Sequence, residues 1–251
     1  LTGDLKLNIY FICIMGEGGY GVVARIVNID TEEVVALKVM KEFNEDNEAE
    51  VECLCKLRQL DADKHKLGKF IEHFEYKDQF CLTFEILDLS LRDFLSMGQS
   101  LHVTDLRVVA GQMLVALEAL KSIGLVPTDI KPDNIMFVHH RSEALKVKLI
   151  DCDCATEVSE LAEFDTIQAV GYRAPEVILG LPMTEAVDMW ALGAVLATLF
   201  IGDRNFYPTG SVYEQLRIIV HMQGQPKDHL LKAGQKVRHA WLRGGDLMIF
   251  I

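Results

Sequence analysis

The sequence lacks a basic cluster, an internal repeat and a low-complexity linker, and its 25 Lys and Arg are outnumbered by 37 Asp and Glu. A formal charge of −12 suits no broad phosphate-backbone contact, so direct nucleic-acid binding is not expected. It fits either a solvated acidic surface or a face that takes a basic peptide. Long apolar runs are also missing. The stretch Met189–Ile201, flanked by Asp188 and Asp203, falls short of the roughly 20 residues a spanning helix needs, so it reads as a buried core helix with no membrane partner. Ile9–Met15 is apolar but has neither a basic leader nor a small-residue cleavage site, so it is not a signal peptide. The chain starts with Leu1 rather than Met, as a fragment or single domain would. Cysteine is sparse and wrongly spaced for zinc. The six residues, at 13, 53, 55, 81, 152 and 154, sit largely in apolar segments and read as reduced, buried thiols of an intracellular protein rather than disulfides. Half of the 251 residues are apolar, enough for a large core rather than disorder.

Three polar interruptions stand out against this background. Val126-Pro-Thr-Asp-Ile-Lys-Pro-Asp-Asn-Ile135 sets Asp129, Lys131 and Asn134 between apolar residues. It reads as an ordinary polar turn, or as a phosphoryl-transfer loop. In that loop Asp129 would accept a proton from a substrate hydroxyl, Lys131 would balance phosphoryl charge and Asn134 would hold a divalent metal. Upstream, Gly16-Glu-Gly-Gly-Tyr-Gly-Val-Val23 fits a G-x-G-x-x-G-x-V pattern through Gly16, Gly18, Gly21 and Val23. Apolar Ile9–Met15 before it and β-branched residues after it suggest strand, turn, strand. A hairpin lid over phosphates fits that context better than the strand-to-helix turn of a dehydrogenase.

In Val35-Ala-Leu-Lys38 a single Lys interrupts an apolar strand, and a buried ammonium needs a carboxylate. The helical stretch Asn47–Leu60 offers Glu48, Glu50 and Glu52. Only Glu50 shares a face with Leu54 and Leu57 at spacings of four and seven, so Lys38 is expected to pair with Glu50. Downstream stand the strand Lys146–Asp151, then Cys152-Asp153, Gly171-Tyr-Arg-Ala-Pro-Glu176 and Asp188-Met-Trp-Ala-Leu-Gly193.

In this order the motifs resemble the eukaryotic protein kinases, from about Ile9 to Gly234. The runs Phe80–Leu87, Leu91–Leu95, Arg173–Pro182, Tyr213–Ile218 and His221–Pro226 resemble the homeodomain-interacting protein kinases, relatives of the dual-specificity tyrosine-regulated kinases. The resemblance implies an α+β, bilobal fold: a β-rich small lobe over 1–87, a mainly helical large lobe over 88–251, truncated at its C-terminal end, and Glu85–Asp88 as hinge. It implies ATP between the lobes, with adenine between Val23 and Ala36 above and Met136 below and Phe84 as gatekeeper. The Glu85 carbonyl and Leu87 amide would bind the base, and the Gly16-Glu17-Gly18 and Gly21 loop would cover the phosphates. Lys38, held by Glu50, would contact the phosphates, Asn134 and Asp151 would bind Mg2+, and Asp129 and Lys131 would serve the acceptor hydroxyl. Lys131 points to Ser/Thr acceptors on a protein substrate. A monomer is expected, in nucleus or cytoplasm, the nucleus on the resemblance alone.

Departures from the pattern are as specific as the matches. The usual His-Arg-Asp is Pro127-Thr128-Asp129, which removes the Arg that pairs with a phosphorylated activation segment, so dependence on such a phosphate should be weak. Asp-Phe-Gly becomes Asp151-Cys152-Asp153, and the relatives' activation-segment Tyr is Thr166. The family-like sequence fades near Gly234, before the further helices that carry the Arg with which Glu176 normally pairs. These changes favour a second reading, a kinase-like ATP-binding scaffold with weak or no catalysis.

Overall fold

A computed structural model describes residues 9–18, 21–40, 45–77, 79–141, 144–151, 155–202, 205–236, 240–243 and 246–249. Five strands, β1 (Ile9–Glu17), β2 (Gly21–Asn28), β3 (Val34–Met40), β4 (Phe70–Tyr76) and β5 (Gln79–Glu85), form one antiparallel sheet in the order β1-β2-β3-β5-β4. The period of two along β3 decides its faces. Val35 and Leu37 join Ala24, Ile26 and Cys81 in a cluster on one side. Ala36, Lys38 and Met40 turn the other way, and Met40 enters the main core. The first two strands make the expected hairpin, with Gly16 opposite Val23 and Glu17 opposite Val22. No helix follows the glycines, which removes the dehydrogenase reading.

Between β3 and β4 lie α1 (Glu45–Leu57) and the one-turn α2 (Ala62–His65), capped by Asp61, whose side chain accepts from the Lys64 amide. Glu50, Cys53, Leu54 and Leu57 are buried on α1, while Glu52 is exposed, as helical spacing required.

The remaining elements are mainly helical. They begin with α3 (Leu91–Ser96), closed by a Ser90/Asp93 capping box, and the twenty-residue α4 (Val103–Ser122). Short pairings carry the loops between helices: β6 (Leu125–Val126) with β9 (Thr156–Glu157), and β7 (Ile135–Phe137) with β8 (Val147–Leu149). Then come a 3-10 helix at Val158–Glu163, α5 (Pro175–Leu179), α6 (Ala186–Ile201), α7 (Val212–Gln223), α8 (Asp228–Ala233) and a hairpin of β10 (Ala240–Arg243) and β11 (Asp246–Ile249).

The apolar run at 189–201 is indeed a core helix. Val187, Ala191, Leu192, Ala194, Val195 and Leu199 of α6 are buried, though Met189, Phe200 and Ile201 face outward. No helix among the described residues is long and apolar enough to cross a membrane. The expectation of uniformly buried thiols needs correction: of four described free cysteines, Cys53 and Cys81 are buried but Cys13 and Cys55 are exposed. Cys13 lies on the edge strand β1, and Cys55 on the outer face of α1, so an apolar neighbourhood in sequence did not mean burial. Cys152 and Cys154 lie outside the described residues.

Candidate active site

The sheet supplies a roof. Directly opposed residues on antiparallel strands share a face, and Lys38 stands opposite Val23 on one side and Leu82 on the other, with Ala36 opposite Phe84. Val23, Ala36, Lys38 and Phe84 are therefore brought to one surface. Lys38 reaches Glu50 of α1, Nζ to Oε1 2.9 Å, with the two side chains 13% and 4% exposed. A carboxylate so buried is stable only with such a partner. In the turn between β1 and β2 the Gly18 amide donates to the Gly21 carbonyl. A Cβ on Gly16 or Gly18 would meet no protein atom, whereas one on Gly21 would strike the Val39 carbonyl. Gly21 is thus required by packing against β3, while Gly16 and Gly18 leave open space beside the backbone. Gly19 and Tyr20 lie outside the described residues.

Beneath the roof runs the loop from β6 to β7. Lys131 Nζ donates to Asp129 Oδ2 at 2.6 Å, and Asn134 Nδ2 donates to the Asp129 carbonyl at 3.0 Å and to Oδ2 at 3.2 Å. A 3-10 turn at Pro132–Asn134 makes this convergence possible by folding Asn134 back over Asp129. Burial works against the Lys131 charge, but the bonded Asp129 and the fields of Asp133 and Asp151 outweigh it and hold its pKa above the ordinary value. The Ile150 amide donates to the Asn134 carbonyl, which ties the approach to Asp151 onto the same loop. Asp151 is exposed and has φ of 63°. Among the described residues no cluster of three His, Cys, Asp or Glu could hold a metal. A divalent ion here would draw on few protein oxygens, as magnesium does when phosphates complete its shell. Asn134, its amide nitrogen engaged, and the exposed Asp151 carboxylate fit that role. Asp153 lies outside the described residues.

Pro127 and Thr128, which stand where His and Arg were expected, are both buried. Thr128 has φ of 60°, a left-handed conformation that is unfavourable for a β-branched residue. Below it Asp188 on α6 is 2% exposed, and neither carboxylate oxygen has a hydrogen-bond partner. Burial, with a smaller push from the Asp129 charge, lifts the Asp188 pKa to about 7. The Thr128 backbone acts in the opposite sense without outweighing burial.

Sequence reasoning missed several groups around the site. Lys148 on β8, 4% exposed, bonds Glu85 Oε1 and Oε2 at 2.6 and 2.8 Å and Asp63 Oδ1 at 2.7 Å. Its neighbour across the strand pair is Met136, so the two share a face. Gln215 of α7, fully buried, accepts from the Gly171 amide and donates to the Arg173 carbonyl. Arg92 of α3 donates to the Tyr172 hydroxyl, to Asn205 Oδ1 and, at 3.4 Å, to Asp133. Lys148 carried only part of a signal, as one of two alternating Lys in the short strand from Lys146. Gln215 and Arg92 sit on amphipathic helices, where polar residues are ordinary.

Residues 11–239 match the family model for the protein kinase domain. The chain is 39% identical over 238 residues, 93% of its length, to homeodomain-interacting protein kinase 1 of Mus musculus, and 37% identical over 228 residues to the Caenorhabditis elegans protein of that name. To homeodomain-interacting protein kinase 4 of Mus musculus it is 37% identical over 242 residues. It covers 20%, 27% and 38% of those relatives, so it spans about a fifth to two fifths of their length.

Proposed function

The chain belongs to the protein kinase domain family, and from that membership we propose that it is an ATP-dependent kinase transferring the γ-phosphate to Ser and Thr hydroxyls of protein substrates. The observation that carries this reading is the assembled pair of constellations: Lys38 bonded to Glu50 in the roof, and Asp129 bonded to Lys131 and Asn134 below it. In this reading the adenine lies between Val23 and Ala36 above and Met136 below, against the Glu85 carbonyl and Leu87 amide. The open space beside Gly16 and Gly18, with Glu17 between them, admits phosphate oxygens close to the backbone. Lys38 receives the α and β phosphates. Asn134 and Asp151 hold magnesium, which supplies charge neutralisation to the phosphate chain. Asp129 orients the acceptor hydroxyl and takes its proton, and Lys131 offsets negative charge on the phosphoryl group being passed. Positioning and electrostatics provide most of the rate in this chemistry. The protein is taken to act inside the cell as a monomer.

A kinase-like scaffold that binds ATP without transfer is favoured by one observation, the left-handed Thr128, which with Pro127 stands where the family pattern has His and Arg. Radiolabel transfer from ATP to a basic acceptor protein, with Asp129→Asn as control, separates the two. Magnesium-dependent thermal stabilisation by ATP with no transfer above the control selects the scaffold.

A further inference from the structure

The stretch from Glu157 to Arg173, whose Gly171–Arg173 lip faces the protein substrate on the kinase reading, has little regular structure of its own. Its 3-10 helix buries only Leu161, and residues 164–170 form neither helix nor strand. Side chains hold it instead. Near the lip, Gln168 donates to the Val187 carbonyl and accepts from the Ala174 amide, while Arg173 donates to the carbonyls of Ile167 and Gln168. At the start, Lys56 of α1 bonds Glu157 at 2.8 Å.

Between these anchors, at Asp165 and Thr166, the partner comes from more than sixty residues downstream. Lys236 Nζ donates to the Asp165 carbonyl and to Thr166 Oγ1 at 2.9 Å, and lies 3.4 Å from Asp165 Oδ2. This reach is built into the main chain. The Lys236 amide donates to the Leu179 carbonyl and the Gln235 amide to Gly180, closing the chain onto the end of α5. Gly180 has φ of 68°, and a Cβ there would come within 2.9 Å of the Lys236 nitrogen. The close approach that seats Lys236 is therefore one only glycine permits.

We propose that Lys236 is a positioning residue for the stretch Ile167–Arg173: its ammonium, fixed to α5 through its own backbone, clamps Asp165 and Thr166 and so sets where the lip begins. The loop from β6 to β7 has Thr at position 128, and its Lys131 is bonded to Asp129. The effect on substrate rests on the protein-kinase reading, whereas the effect on the segment rests on geometry alone.

Two measurements on the full chain test it. In Lys236→Ala, amide hydrogen exchange over 164–170 should quicken severalfold while α6 and α7 keep their protection. With protamine as acceptor, its KM should rise about fivefold, the scale of one exposed charged contact, with kcat and the KM for ATP little changed. Lys236→Arg, which keeps the charge and the reach, should restore both readouts. Unchanged exchange over 164–170 in Lys236→Ala overturns the proposal, and so does loosening that extends equally through α5 and α7. If the parent chain transfers no phosphate while Lys236→Ala still loosens 164–170, the kinase reading fails and the clamp stands.

Discussion

A charge that loses water must find a partner, and that rule accounts for most of the residues that matter here. Lys38 with Glu50, and Asp129 with Lys131 and Asn134, are satisfied within the protein. Under the kinase reading, Lys38→Met and Asp129→Asn should each lower kcat by about a hundredfold or more, on the order of 3 kcal/mol of transition-state stabilisation. Single-turnover transfer to protamine measures this, and rates equal to the parent would remove both residues from the mechanism. Asp188 is the exception to the rule, buried with both oxygens unsatisfied. Its pKa in the folded chain, about 7, lies above the 3.8 of the free side chain, so the folded state holds the proton more tightly than the unfolded state. The contribution to stability is therefore full below about pH 4 and is lost as pH rises through about 7, a change of roughly 4 kcal/mol at most. Asp188→Asn, which has no proton to lose, should gain on the parent in urea midpoint as pH is raised from 4 to 8. A constant difference between the two across that range would place the titration elsewhere.

Elements convert these residue demands into geometry, and α1 does so most legibly. Spacings of four and seven put Glu50, Leu54 and Leu57 on one side, and that side is the buried one. Leu54→Ala should cost about 2 to 4 kcal/mol in denaturant unfolding through the cavity it leaves. It should also weaken transfer more than its distance from the cleft suggests, because Glu50 rides on the same face. Transfer that falls no further than the folded fraction would show that the Lys38 pair does not depend on this packing. The glycine hairpin was equally legible, since strand composition on both sides of Gly16–Gly21 distinguished a hairpin from a strand-to-helix turn. Periodicity was silent where contacts join distant elements. Lys148 was visible only as one of two alternating Lys in a short strand, and its partners lie at the end of β5 and in the four-residue α2, too short to leave a pattern. Gln215 gives no signal at all, because an amide on an amphipathic helix looks the same whether it meets water or the Gly171 amide. Thr128 was recognised as a missing Arg, yet its left-handed backbone depends on the burial of the whole loop over α6.

At the scale of the whole molecule, the sheet and the helical part are joined behind the cleft by one compact arrangement around β8. The Leu149 amide donates to the Lys66 carbonyl and Leu149 accepts from the Gly68 amide, so the connection between α2 and β4 is sewn to β8. Beside these bonds Lys148 bridges Glu85 and Asp63, and Glu85 also accepts from the Lys69 amide at 2.6 Å. Burial disfavours the Lys148 charge, but the bonds to Asp63 and Glu85 prevail and raise its pKa. The partners are not equal, since the Asp63 side chain is 87% exposed and Glu85 only 23%. Asp63→Asn should therefore be nearly neutral, within about 1 kcal/mol, as for an exposed pair. Lys148→Met leaves Glu85 half-buried without its cation and should cost about 1 to 3 kcal/mol. Adding Glu85→Gln to Lys148→Met should recover part of that loss, because the stranded charge is then gone. On the kinase reading Glu85 also begins the adenine-binding hinge, so Lys148→Met should weaken binding of adenosine, which has no phosphates, as much as binding of ATP. Lys38→Met should weaken ATP alone. Calorimetric titration of both ligands into both variants distinguishes these cases, and a Lys148→Met chain that binds adenosine as the parent does would confine the ion network to stability.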